Sequence, residues 1–412
     1  MWPRSRLRFA LLLLLVAAGG CATYQVKTQK EQDMFYRGEY AQAAKDLEAP
    51  SQEDGKDQVL YLFDRAMALQ LAGDYKESEK EFILADKMTE IKDYVSLSTE
   101  AATLFTNDQI KQYKGEDFEK VLINAFLAID YAVSNNFEDA LVECRRVNEK
   151  LYKYKFEAKR DYEQNPFARY LSAAIWEASE KYEDAYIDYK LAAALAPNFP
   201  YIKYDLVRLG KRLNRFEDLK EFQRKWGNLD VLTPQEERRS GEIILIYQQG
   251  KNAIKRPNPV NYRFPKYFRR YTMTHRVRIE AANENVSELS HEIYSVADVA
   301  IKTLDDAYAA LVAKRLVGVV AKAVVADQIA QRNQLLGALA WIGMNAADQA
   351  DLRAWDTLPE TLQLARLHVT PGAHTIRIVG LDSGGRPTGE GATVQVDVPA
   401  GKKIFLNWRS LR

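Results

Sequence analysis

The chain has 412 residues, 58 of them Lys or Arg and 57 Asp or Glu, so the net charge is +1 and no global field selects nucleic acid. Hydrophobic residues make up 47%, enough to build packed cores in two or three domains. With only Cys21 and Cys144 present, the fold is expected to hold by packing, not by a disulfide framework.

The first twenty residues have the three parts of a secretory signal. Arg4, Arg6 and Arg8 are a positive start, Phe9 to Ala17 is apolar, and Ala18, Gly19 and Gly20 are small. The apolar run falls short of the ~20 residues a spanning helix needs. Val16-Ala17-Ala18-Gly19-Gly20-Cys21 resembles a bacterial lipobox, with Ala18 standing where Leu is commoner. That resemblance implies cleavage before Cys21, lipidation of its sulfur and, since Ala22 and not Asp follows, an outer-membrane lipid anchor facing the periplasm. Residues 1–20 are thus read as a cleaved signal and 21–32 as lipidated Cys and polar tether, at most ~40 Å long when extended.

Residues 33–230 carry an internal repeat. A turn residue, an aromatic and a small or apolar residue three places later recur at Gly38-Glu39-Tyr40, Gly73-Asp74-Tyr75, Asn135-Asn136-Phe137, Glu180-Lys181-Tyr182 and Asn214-Arg215-Phe216. The pattern resembles the tetratricopeptide repeat, a pair of antiparallel helices with a period of about 34 residues. The turn residue ends the first helix in a left-handed conformation, the aromatic plugs the elbow, and Ala or Ser lets the helices approach. Pro197 stops the second helix of the fourth unit. The steps from Tyr75 to Phe137 and from Phe137 to Tyr182 are longer than one period, which predicts inserted helix or a degenerate repeat around Tyr94 to Tyr113. Such repeats stack into a solenoid whose concave face takes a peptide or protein. Lys190 and Lys220 are expected on that inner face.

From residue 231 the pattern becomes mixed. Gly241 to Gly250 holds a continuous apolar run bounded by glycine, the signature of a buried strand. Pro257, Pro259 and Pro265 mark a loop, and Thr274 to Ala281 alternates as a strand. Tyr294 to Arg332 reads as a long helix and Leu335 to Asp351 as a second one. Residues 361–412 read as a small β-unit with turns at Pro371-Gly372, Asp382 to Gly385 and Gly401. The fold class expected is a mostly α helical-repeat solenoid (33–230) followed by an α+β region, strand, loop and long helix in 231–360 and β-rich in 361–412.

Pro371-Gly372-Ala373-His374 and the strand before Gly401 look like the PEGA-type β-domains of envelope proteins. The whole plan is similar to a family of bacterial outer-membrane lipoproteins with no assigned activity. The residues that carry this resemblance are Gly241 to Gly250 with Lys255 beyond, and Asp351-Leu352-Arg353-Ala354-Trp355-Asp356-Thr357-Leu358-Pro359. The link it implies is to cell-envelope biogenesis.

No catalytic motif stands out. His291-Glu292 begins a zinc-protease pattern, but Ser295 occupies the position of the second His. His368 and His374 flank the Pro371-Gly372 turn and read as surface residues, and Cys144 reads as a buried small side chain. No metal or cofactor is expected. Tyr262, Phe264, Tyr267, Phe268 and Tyr271 interleave with Arg263, Lys266, Arg269 and Arg270. Stacking and guanidinium contacts at Tyr267, Arg269 and Arg270 would suit an anionic glycan or an acidic protein; aromatic packing of a loop is the plainer reading. The function expected is a non-enzymatic scaffold for a periplasmic or outer-membrane protein partner. A glycan-binding module and an envelope hydrolase stand as alternatives.

Overall fold

The computed structural model describes residues 24–99, 112–156, 165–332, 334 and 350–412. The signal sequence and Cys21 lie outside them, as does nearly all of the helix expected over Leu335 to Asp351.

From Tyr24 on, the stretch read as a tether is folded. Helix α1 (Tyr24–Lys27) and helix α2 (Gln29–Tyr36) begin three residues after Cys21. Tyr24, Thr28 and Phe35 are buried, a helical spacing that the polar residues between them concealed. Then come α3 (Tyr40–Asp46), α4 (Glu48–Gln52), α5 (Gln58–Ala72), α6 (Tyr75–Thr99), α7 (Asp117–Val133), α8 (Phe137–Phe156), α9 (Pro166–Ala178), α10 (Tyr182–Leu195), α11 (Pro200–Arg212) and α12 (Phe216–Trp226). They form helical hairpins: α2 with α3, α5 with α6, α7 with α8, α9 with α10, and α11 with α12. At all five expected turns the backbone is left-handed: Gly38, Gly73, Asn135, Glu180 and Asn214 have φ of 83°, 85°, 59°, 61° and 54°. Part of the extra length between repeats lies in α6, which runs to Thr99.

Helix α13 (Pro234–Arg239) leads into β1 (Gly241–Gln249), followed by β2 (Ile254–Pro257), β3 (Pro265–Phe268), β4 (Arg276–Ala281), β5 (Val286–Leu289) and β6 (His291–Ser295). Helix α14 (Val296–Arg332) and strands β7 (Thr361–Val369), β8 (Gly372–Leu381), β9 (Pro387–Val398) and β10 (Lys403–Arg409) complete the order. One sheet runs β10-β1-β7-β6, a second runs β5-β4-β8-β9, and β2 pairs with β3 alone. Strands from 231–360 and from 361–412 therefore share both four-stranded sheets. The continuous apolar strand β1 needs neighbours on both edges, and only β7 and β10 from the far end of the chain supply them. Among the described residues no helix is long and apolar enough to cross a membrane.

The architecture has three layers, and β1 lies in the middle one. Ile244 and Ile246 join the core of the helical hairpins, whereas Ile243, Leu245 and Tyr247 join the core beneath the second sheet. A strand buried on both faces loses the polar-apolar alternation of a half-buried one, which accounts for its unbroken apolar run.

The turns give a paired test. A Cβ added at Gly73 would meet nothing within 4 Å, so Gly73→Ala should cost about 1–2 kcal/mol through backbone strain alone. Glu180 bears that strain already. Its exposed pair with Lys402, at 2.9 Å, is worth little. Glu180→Gly should stabilise the protein by roughly 0.5 kcal/mol. Urea unfolding reads both changes; like signs would refute the strain account.

Candidate functional site

The expected binding surface of such a solenoid is its inner face, so its contents decide what it can do. The first helices of the hairpins meet the sheet β10-β1-β7-β6. Each strand turns alternate residues toward them: Lys403, Phe405, Asn407 and Arg409 from β10; Glu242, Ile244, Ile246 and Gln248 from β1; Leu362, Leu364, Arg366 and His368 from β7. The row is charged at one end, apolar in the middle and polar at the other end. Each part meets its match on the helices.

At the charged end, Arg366 is buried and reaches both layers. Its guanidinium donates to Glu242 on β1 at 2.5 and 2.9 Å, to Asp205 on α11 at 2.5 Å, and to the hydroxyl of Tyr170 on α9 at 2.8 Å. Arg208 bridges Glu177 at 2.6 Å, Asp205 at 3.0 Å and Glu237 at 2.5 Å. Lys403 joins Glu177, at 2.9 Å, to Glu242. Burial alone would push Glu177 upward, but Arg208, Lys403 and Arg366 hold it well below the ordinary carboxylate range. Burial opposes ionisation of Glu242 too, and Arg366 with Lys403 overrides it. A polar cleft lined by Tyr182, Arg212, Arg238, Lys402 and His368 opens over this network.

In the middle, Phe405 meets the elbow aromatic Phe137 edge to face, with ring centroids 5.8 Å apart. At the polar end, Gln248 donates to Gln70 on α5 at 2.6 Å.

The segment between α14 and β7 goes deeper. Trp355 stacks on Phe63 of α5 at 4.3 Å between ring centroids and contacts Phe82 and Phe126. Its backbone N–H donates to Glu119 at 2.7 Å, and its indole N–H to Thr357 at 3.0 Å. Thr357 in turn donates to Asp64 at 2.7 Å, which also accepts from the Tyr24 hydroxyl at 2.8 Å. Arg353 pairs with Asp57 at 3.1 Å, and Lys255 with Glu116 at 2.5 Å. Burial raises Asp64 and Glu119 to about 7, although hydrogen bonds oppose it at both. Burial takes Asp356 to about 6 against the pull of Arg270 and Lys255.

The inner face is therefore occupied by the chain's own C-terminal half. Lys190 and Lys220 sit elsewhere, on the second helices α10 and α12. Both are exposed, and they pair with Asp218 at 3.3 Å and Glu217 at 2.9 Å. The cluster at 262–271 splits as well. Tyr267 is buried, and Arg270 donates to the carbonyls of Asn252 and Asp356 and to the Tyr36 hydroxyl. Arg269 pairs with Asp298 and with Glu360. Tyr262 and Tyr271 remain exposed. The proline-rich stretch read as a loop is a hairpin, because β2 and β3 pair across it. Cys144 is buried at 0% exposure, and burial pushes its thiol up. His374, expected at the surface, is buried, with Nε2 2.7 Å from the Thr370 carbonyl oxygen. Among the described residues no group of His, Cys, Asp and Glu is arranged to hold a metal ion.

Sequence reasoning missed Arg366 and gave Trp355 no physical role. A strand residue such as Arg366 is visible as an anomaly, a charge on the apolar side of Leu362 and Leu364, but its partners come from α9, α11 and β1.

No protein-family model matches the chain, and no curated protein does. Solved structures resemble its helical half. MamA (residues 41 to the end) from Desulfovibrio magneticus RS-1 is 15% identical, with a TM-score of 0.32 over 48% of this chain and 89% of that one. A putative kinesin light chain from Podosopora anserina with nearly identical TPR-like repeats is 12% identical, with a TM-score of 0.32 over 48% and 90%. The apo form of RapI is 13% identical, with a TM-score of 0.37 over 53% and 57%. Values this low carry no argument about function.

Two tests follow from the inner face. Trp355→Ala should cost about 3–5 kcal/mol. It should also raise protease sensitivity in 350–360 ahead of global unfolding; a cost below about 1 kcal/mol would show that the indole is not an anchor. The second is pH dependence. Asp64 and Glu119 have raised folded values, so the stability tied to their protonated forms is lost as pH rises from about 4 through about 7. Glu177 and Glu242 have depressed values, so their contribution is present above the ordinary carboxylate range and lost as pH falls below it. Urea unfolding across pH should show a maximum near pH ~4–4.5 and a decline from there to about pH 7. Asp64→Asn should flatten the alkaline arm, and an unchanged arm would remove Asp64 from this account.

Proposed function

We propose that the chain is a lipid-anchored scaffold of the bacterial cell envelope that binds a protein partner through the outer surface of its helical repeats and carries out no catalysis. One observation carries the reading. The inner face is filled from within, while the helices at the far end of the stack present Ile187, Leu191, Tyr204 and Phe216 to solvent, with Phe216 64% exposed. Scattered apolar side chains are ordinary, but four on three successive helices can supply the apolar centre of a protein contact. The lipobox-like run ending at Cys21 supports anchoring, and Ala22 after it supports the outer membrane, facing the periplasm.

A second reading, an anionic glycan, is favoured by the exposed Tyr262 and Tyr271 beside the exposed Lys266. Aromatic faces and ammonium groups suit sugar rings carrying carboxylates.

Photocrosslinkers placed in living cells at Leu191, Phe216 and Tyr262 separate the two readings. One dominant envelope protein captured from 191 or 216 is the expected result. Adducts bearing cell-wall glycan from 262 alone would move the function to the second reading. No adduct at any position, with the protein folded and exported, would remove the scaffold.

A further inference from the structure

We infer that the face carrying Val26, Lys27 and Lys30 rests against the phospholipid headgroups of the membrane that holds the anchor. The inference rests on the lipid-anchored reading of Cys21 given above.

It follows from how early the fold begins. Tyr24 is 1% exposed, its hydroxyl donates to Asp64 at 2.8 Å, and its ring meets Tyr61 edge to face at 5.0 Å. Gln25 donates through its side chain to the carbonyl of Leu352, in the segment that leads into Trp355. These contacts pin the start of α1 to α5 and to the segment that leads into Trp355. Only Ala22 and Thr23 separate it from Cys21. Three Cα steps span at most ~11 Å. Acyl chains on Cys21 lie in the hydrocarbon, below a headgroup layer about 6 Å thick. The slack left over is less than one helix diameter of about 10 Å. The body therefore cannot stand off from the bilayer, and the side from which the chain emerges must meet it.

That side has the chemistry for the contact. Tyr24 on α1 and Thr28, between α1 and α2, are buried, while Val26 is 61% exposed beside Lys27; Lys30 follows on α2. Lys27 lies 3.7 Å from Asp57 and Lys30 lies 2.6 Å from Asp46, both lysines being well exposed. The acids are the covered members, at 5% and 19% side-chain exposure, so the ammonium groups remain open to a lipid phosphate on their solvent side while Asp57 keeps Arg353. Long ammonium-tipped side chains around a small apolar residue match the graded polarity of a headgroup layer. The last hairpin, with Phe216, stands four hairpins further along the stack.

The test uses the full-length lipidated protein in vesicles of phosphatidylethanolamine and phosphatidylglycerol that contain a headgroup-quencher lipid. Val26→Cys and Phe216→Cys are labelled separately with an environment-sensitive fluorophore. The buried Cys144 and the lipid-blocked Cys21 leave the introduced thiol as the reactive one. Strong quenching at 26, none at 216, and loss of the quenching at 26 when a flexible ten-residue linker is inserted after Ala22 are expected. An unquenched probe at 26 in protein whose mass shows the lipid would overturn the inference and leave the anchor standing. Equal quenching at both positions would overturn it as well. A mass without lipid would dispose of the anchored reading, and this inference with it.

Discussion

The insertion of Trp355 between Phe63, Phe82 and Phe126 is the contact on which the rest of the molecule depends. Helical hairpins stacked side by side leave their first helices exposed along one face, and that face needs a cover. Here the cover is the chain's own later half. The indole supplies the apolar contact, its backbone N–H is taken by Glu119, and its ring N–H reaches Thr357. Once it is seated, β7 begins at Thr361, within reach of β1, and the sheet can close.

The two ends of this interface solve the problem of burying charge differently. Around Arg366 the cations Arg366, Arg208, Lys403 and Arg212 meet the acids Glu177, Asp205, Glu242 and Glu237 in equal number. Such networks add little net stability, since desolvation offsets the attraction, but removing one member leaves a buried charge unmatched. They therefore fix which strand meets which helix more than they strengthen the contact. Around Trp355 the acids Asp64 and Glu119 take hydrogen bonds mainly from neutral donors, so burial dominates and both are raised to about 7. The same pair of layers is thus held by contacts that respond to pH in opposite directions.

A solenoid with a filled inner face has only outward surfaces left for partners. The exposed side chains of α10, α11 and α12 lie at one end of the stack, and the N-terminal face lies at the other. With the proposed lipid on Cys21, a chain already folded at Tyr24 would leave little freedom between anchor and body, and covalent geometry alone would orient the stack.

Much of the fold was legible in local chemistry. Five turns were readable because each needs a residue that tolerates a left-handed backbone followed by an aromatic plug, and all five have positive φ. The unbroken apolar run of β1 announced a buried strand, and the structure buries it on both faces. Lys255 and the segment Asp351 to Pro359 stood out as a pattern, without a reason. The reason is tertiary: Lys255 answers Glu116, Arg353 answers Asp57, and Trp355 fills a gap lined by two hairpins more than two hundred residues earlier. Local spacing predicted an open inner face with Lys190 and Lys220 on it, because periodicity shows which residues share a side but not what covers that side. The turns, the hairpins and the buried strand β1 were set locally, since these follow from backbone strain and side-chain period within a few residues. Packing between distant segments closed the groove, made Arg366 its charged hub and buried Tyr24. Those outcomes depend on which distant surfaces desolvate one another.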